Sequence, residues 1–129
     1  MSISRILLVE DNIDNLELVR FLLIRSGYQV LEANDGQMGM DIARRELPDL
    51  ILMDLSLPGV DGWTAARELK ADPKTASIPL LALTAHTLPG DRSKALESGF
   101  NGYISKPINL QSFADDIARA LNPVNSTTP

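Results

Sequence analysis

Five short apolar runs, at 6–9 (ILLV), 29–33 (QVLEA), 50–53 (LILM), 80–83 (LLAL) and 103–104 (YI), are separated by longer segments of helical period. That alternation constrains the fold more than any other feature. Runs one, three and four are almost continuously apolar, the pattern of strands buried on both faces, and such strands belong to parallel sheets whose crossovers are helices. The expected architecture is therefore α/β, with β then α repeated five times. Ile13, Leu16, Val19 and Leu23 fall on one helical face, and Leu110, Phe113, Ile117 and Leu121 on another. Spacings of three and four make both sets core stripes. Asn12 is placed to cap the first helix and Gly27 to end it, Asp61 to cap the third, and Pro107 to stop the last strand.

A chain of 129 residues with 44% hydrophobic and 22% charged content suits one domain with a full core. The expected domain is 1–121, followed by a flexible tail, 122–129 (NPVNSTTP), without charge. No apolar run reaches the roughly 18 residues of a spanning helix, and no secretory leader is visible, so a cytoplasmic protein without membrane contact is expected. With no cysteine and only His86 as histidine, thiolate chemistry and Cys- or His-rich metal sites are excluded. A formal net charge of -5 argues against a nucleic-acid surface. A protein or an ion is the expected partner.

In sheets of this kind ligands bind beyond the carboxyl ends of the strands, where strand order reverses. Those ends carry Glu10 and Asp11 (VEDN), Asp54 (LILMD), Thr84 (ALTAH) and Lys106 (ISKP). Three crowded carboxylates repel one another unless a hard cation takes their oxygens, which makes magnesium the economical explanation. Lys106 and Thr84 then stand where an anion bridging to that metal would sit, the arrangement phosphoryl transfer uses, and Asp54 becomes a nucleophile. Each residue alone has a blander reading. Asp54 could be a turn residue, Glu10 and Asp11 helix-dipole partners, Thr84 a strand former, and Lys106 a snorkelling side chain. It is their convergence that favours a site.

The motifs VEDN, LILMDLSLPGVDGW, LLALTAH and GYISKPI together resemble the receiver domain of bacterial two-component response regulators, over nearly the whole chain. The resemblance implies a doubly wound, flavodoxin-like sheet in the order 2-1-3-4-5, flanked by five helices. It implies that Asp54 accepts a phosphoryl group from a phosphohistidine on a histidine kinase or phosphotransfer protein. Glu10, Asp11 and Asp54 would hold Mg2+ with the backbone carbonyl of Ser56, while Lys106 and Thr84 would hold the phosphoryl oxygens. A cis Lys106–Pro107 peptide would help to aim the lysine. Tyr103 would swing inward with Thr84 as a switch, although a half-buried sheet residue is an equal reading of that tyrosine. His86 and Ser56 would flank the site and tune the lifetime of the phosphoryl group, and His86 is otherwise an exposed loop residue. Leu55 and Trp63 are read as packing residues.

Such a domain would catalyse only its own phosphorylation and dephosphorylation and would not be a turnover enzyme. Nothing after Leu121 suggests an output domain, so a single-domain receiver acting on a downstream protein target is expected, with a homodimer among its allowed forms. Its pattern is equally similar to receivers of hybrid kinases. A phosphatase or nucleotide-binding enzyme on a similar sheet is disfavoured, since there is no G-x-x-x-x-G-K-[ST] loop and no second aspartate two residues after Asp54. A constitutive, non-phosphorylated interaction module would normally lack Asp54, Thr84 or Lys106.

Overall fold

In the computed structural model, which describes residues 3–57, 59–84 and 89–121, the alternation becomes ten elements in strict β-then-α order. They are β1 (Arg5–Val9), α1 (Ile13–Arg25), β2 (Gln29–Ala33), α2 (Gly36–Glu46), β3 (Leu50–Asp54), α3 (Gly62–Ala71), β4 (Leu80–Thr84), α4 (Pro89–Glu97), β5 (Gly102–Ser105) and α5 (Phe113–Leu121). The five strands form one parallel sheet in the order β2-β1-β3-β4-β5.

The apolar continuity of β1, β3 and β4 is explained by two cores. Leu7, Val9, Ile51, Met53, Leu80 and Ala82 face α2, α3 and α4, where they meet Met40, Ala43, Ala65, Leu69 and Ala95. The alternate residues, Ile6, Leu8, Leu50, Leu52, Leu81 and Leu83, face α1 and α5 and pack on Val19, Leu23, Phe113 and Ile117. Strand side chains point alternately to opposite faces, so a strand with helices on both sides has no polar position along its length.

Caps set the helix starts. Asn12, Asp35 and Asp61 accept hydrogen bonds from the backbone N–H of Asn15, Met38 and Thr64 at 3.0, 2.8 and 2.8 Å. Gly27 follows α1 at φ 92°, a conformation that glycine adopts without a Cβ penalty. Two members of the expected core stripes lie outside the core. Ile13 is 63% exposed because it opens α1 past the carboxyl end of β1, and Leu110 is 64% exposed because α5 begins only at Phe113. Leu55 is buried, and Trp63 packs edge-on against Phe100 with the Lys94 ammonium 4.6 Å from its ring. His86 and the tail 122–129 lie outside the described residues.

Candidate functional site

β1 has β2 on one side and β3 on the other, so the strand order reverses between β1 and β3. In sheets of this kind that reversal is where ligands bind, at the carboxyl ends of the two strands. β1 delivers Glu10 and Asp11 to this point immediately after Val9, and β3 delivers Asp54 as its last residue. The backbone N–H of Glu10 still donates to Ala33 at 3.0 Å, which extends β1 pairing by one residue and fixes the position of Glu10. Glu10, Asp11 and Asp54 each offer a carboxylate oxygen, and the three oxygens lie within 4.8 Å of one another. Glu10 and Asp54 are buried and Asp11 is exposed, so the cluster has one open side.

Lys106 enters from β5. Its backbone N–H donates to the carbonyl of Thr84 at 2.8 Å, and its Nζ reaches Glu10 Oε1 at 2.9 Å and Asp54 Oδ2 at 3.1 Å. The Lys106–Pro107 peptide is cis. Thr84 ends β4 beside Ser105 and is buried. Ser56 is adjacent through its N–H, which donates to Asp54 Oδ1 at 3.0 Å. Tyr103 pairs with Ala82 and is half-buried against the core on the α2–α4 side.

The turn after Asp54 is possible because of Gly62. A Cβ there would lie 2.5 Å from the carbonyl oxygen of Asp54 and 2.9 Å from Leu55 Cα, so the start of α3 rests on the peptide of the candidate nucleophile.

Protonation follows from this packing. Burial is the largest influence on Glu10 and pushes its carboxyl up to about 7, with Asp54 adding to the rise and Lys106 opposing it. Burial also pushes Asp54 up, but hydrogen bonds to Glu10 and the Ser56 N–H, with the charge of Lys106, outweigh it and hold Asp54 below its ordinary value. For Lys106, burial works downward and is outweighed by the two carboxylates, leaving its ammonium raised. Below about pH 7 the pair's proton therefore sits on Glu10, and Asp54 is the ionised member.

Three clustered carboxylate oxygens form a hard donor set that suits a small divalent cation rather than a soft metal. The sequence-derived residues Glu10, Asp11, Asp54, Ser56, Thr84 and Lys106 thus all meet at one end of the sheet, while Tyr103 lies two residue pairs back along β4 and β5. One contact was not anticipated. Gly36, at the start of α2, abuts the loop after β3, and the Asn34-Asp35-Gly36 run after β2 was its available signal.

The chain belongs to the response regulator receiver domain family, whose model matches residues 6–118. The polar-differentiation response regulator DivK of Brucella anthropi is 40% identical over 112 residues, covering 87% of this chain and 91% of that protein. A putative response regulator from Chloroflexus aurantiacus superposes with a TM-score of 0.89 at 29% identity, over 93% of this chain and 98% of its own. The receiver domain of sensor histidine kinase PA1611 from Pseudomonas aeruginosa superposes with a TM-score of 0.86 at 38% identity, with the same coverages. That structure carries a magnesium ion coordinated in its active site cleft. Among the described residues of the present chain, no helix is long and apolar enough to cross a membrane.

Proposed function

We propose that this chain is a phosphorylatable receiver whose Asp54 accepts a phosphoryl group from a phosphohistidine, and that it signals through protein–protein contacts. The observation that carries the reading is the placement of Asp54: a buried carboxylate with an ammonium 3.1 Å away, and with two further carboxylates gathered beside it. An ionised Asp54 suits attack on phosphorus. As the Asp54 O–P bond forms, the donor's P–N bond breaks, and the imidazole leaves with that electron pair and takes up a proton from solvent.

Glu10, Asp11 and Asp54, with the backbone carbonyl of Ser56, would hold Mg2+. When bound, the metal supplies charge that screens Asp54 from the approaching phosphoryl group. Lys106 already spans Glu10 and Asp54, and it would transfer its hydrogen bonds to a phosphoryl oxygen. Thr84 would hold a second oxygen, and Tyr103, two residue pairs back along the strands, would report its movement. The acetyl phosphate test reads the chemistry directly. Incubation with acetyl phosphate and Mg2+ should add one phosphoryl mass to the wild-type protein, none with chelator, and none to Asp54→Ala. Labelling of Asp54→Ala, or metal-independent labelling, would count against the reading.

A further inference from the structure

We propose that Gly36 is a positioning residue for Asp54: the first turn of α2 seats the β3–α3 loop through a contact only glycine allows, and that loop holds Ser56 against the carboxylate. The inference rests on Asp54 being the phosphoryl acceptor. A Cβ on Gly36 would lie 2.1 Å from the carbonyl oxygen of Val60, 3.1 Å from its carbonyl carbon and 3.2 Å from its Cβ. The obstacle is backbone, which cannot rotate away as a side chain could. The need for glycine is steric, because Gly36 does not occupy the left-handed region that its relatives at Gly27, Gly59 and Gly99 do.

Both partners are tied to their own elements. The start of α2 is fixed by its Asp35 cap, and one turn further on Gly39 lies so close to Val9 that a Cβ would meet Val9 Cγ2 at 2.8 Å. The loop is fixed at both ends. Asp54 closes β3 on one side, and on the other Asp61 caps α3 while the Gly62 N–H donates to Leu55 at 3.4 Å. Val60 is where α2 touches this short segment, Leu55 and Leu57 anchor it in the core, and Ser56 touches Asp54 through a 3.0 Å hydrogen bond. By this proposal a push at Val60 reaches Ser56, whose N–H donates to the reacting carboxylate and whose carbonyl is a candidate metal ligand. Groups that support first ligands in this way typically change metal affinity by about ten- to a hundredfold when disturbed.

The test compares Gly36→Ala with Ala43→Gly, a substitution two turns along the same helix that weakens α2 without approaching Val60. In metal-free samples, the Ser56 amide resonance should shift and its hydrogen exchange quicken in Gly36→Ala, and both should stay as in wild type in Ala43→Gly. The magnesium concentration that half-saturates phosphorylation by acetyl phosphate should rise on the order of tenfold in Gly36→Ala alone. A Ser56 amide unmoved in Gly36→Ala, or moved equally in Ala43→Gly, overturns the proposal. If Gly36→Ala does not fold, Asp35→Ala, which removes the cap without adding bulk, decides by the same comparison. Should wild type take no phosphoryl group at all, the functional reading fails, while the amide comparison still decides the positioning role.

Discussion

The Nζ of Lys106 lies 3.1 Å from Oδ2 of Asp54, and this contact joins β5 to the end of β3 across the intervening β4. The same ammonium reaches Glu10 at 2.9 Å, so one cation bridges two buried carboxylates. Removing it leaves both without a cationic partner, with only the Ser56 N–H on Asp54 and the Asn12 N–H on Glu10. Lys106→Met should destabilise the metal-free protein by about 2 to 3 kcal/mol at pH 8, short of the full cost of an orphaned buried charge because Glu10 can take up a proton. Urea denaturation in chelator checks this, and the loss should shrink at pH 6. A Lys106→Met protein as stable as wild type at pH 8 would mean that solvent, not Lys106, carries the compensation.

Glu10 makes a second prediction through its proton. Its folded value of about 7 stands above the ordinary 4.5, so between those values the folded state binds more protons than the unfolded chain. Stability from this group is fully present below pH 4.5 and is lost as pH rises through 7. Asp54 acts with the opposite sign: its folded value lies below 3.8, so its contribution is present above that pH and is lost on further acidification. Relative to Glu10→Gln, metal-free wild type should lose about 2 to 3 kcal/mol between pH 4.5 and pH 8. Parallel stability profiles for the two proteins would show that Glu10 does not titrate in this range.

The strands, their order of appearance and the residues that meet at their carboxyl ends were legible because burial on both faces leaves a continuous apolar signature that polar strand ends interrupt. The sheet order came from resemblance. What periodicity could not show was where a helix begins. Leu110 continues the spacing of Phe113 and Ile117, yet Asn109 accepts from the N–H groups of Gln111 and Ser112 and holds this segment in a turn before α5. Ile13 fits the stripe of α1 but opens the helix where no strand lies beneath it. The contact between Gly36 and Val60 was invisible for another reason. It joins residues 24 positions apart through the absence of an atom, and an apolar pattern does not record absences.

Gly62 carries the third prediction. Its missing Cβ leaves room for the Asp54 carbonyl oxygen, which would lie 2.5 Å from an added methyl, and for Leu55 Cα at 2.9 Å. Alanine in place of glycine favours a helix by up to about 1 kcal/mol, and less at its first residue. Overpacking against backbone costs about 1 to 3 kcal/mol or more, so the clash wins. Gly62→Ala should be about 2 kcal/mol less stable than wild type by urea midpoint. An unchanged or raised midpoint would mean that α3 shifts freely away from Asp54.

Charge at the cluster gives the last prediction, in which two effects of opposite sign separate a metal site from a structural ion pair. Two unit charges ~4 Å apart repel by about 4 kcal/mol at an effective dielectric near 20. Below about pH 7 the proton on Glu10, which helps to hold Asp54 low, relieves the repulsion between Asp54 and Glu10; at pH 8 that proton is gone and only Lys106 offsets the two charges. Asp54→Asn removes one charge and keeps an oxygen able to accept from the Ser56 N–H, while Lys106 keeps Glu10 as its partner. The net gain should be about 1 kcal/mol at pH 8, where Glu10 is ionised in both proteins. Mg2+ should act the other way, since a cation that binds the assembled cluster and not the unfolded chain stabilises by mass action, by about 1.4 kcal/mol at ten times its Kd. That gain should be smaller in Asp54→Asn, which has lost one anionic ligand. Urea midpoints for both proteins, with Mg2+ and with chelator, measure all the terms. If Asp54→Asn is the less stable protein in chelator and Mg2+ shifts both equally, Asp54 is held in place as the structural partner of Lys106, and the cluster is not a metal site.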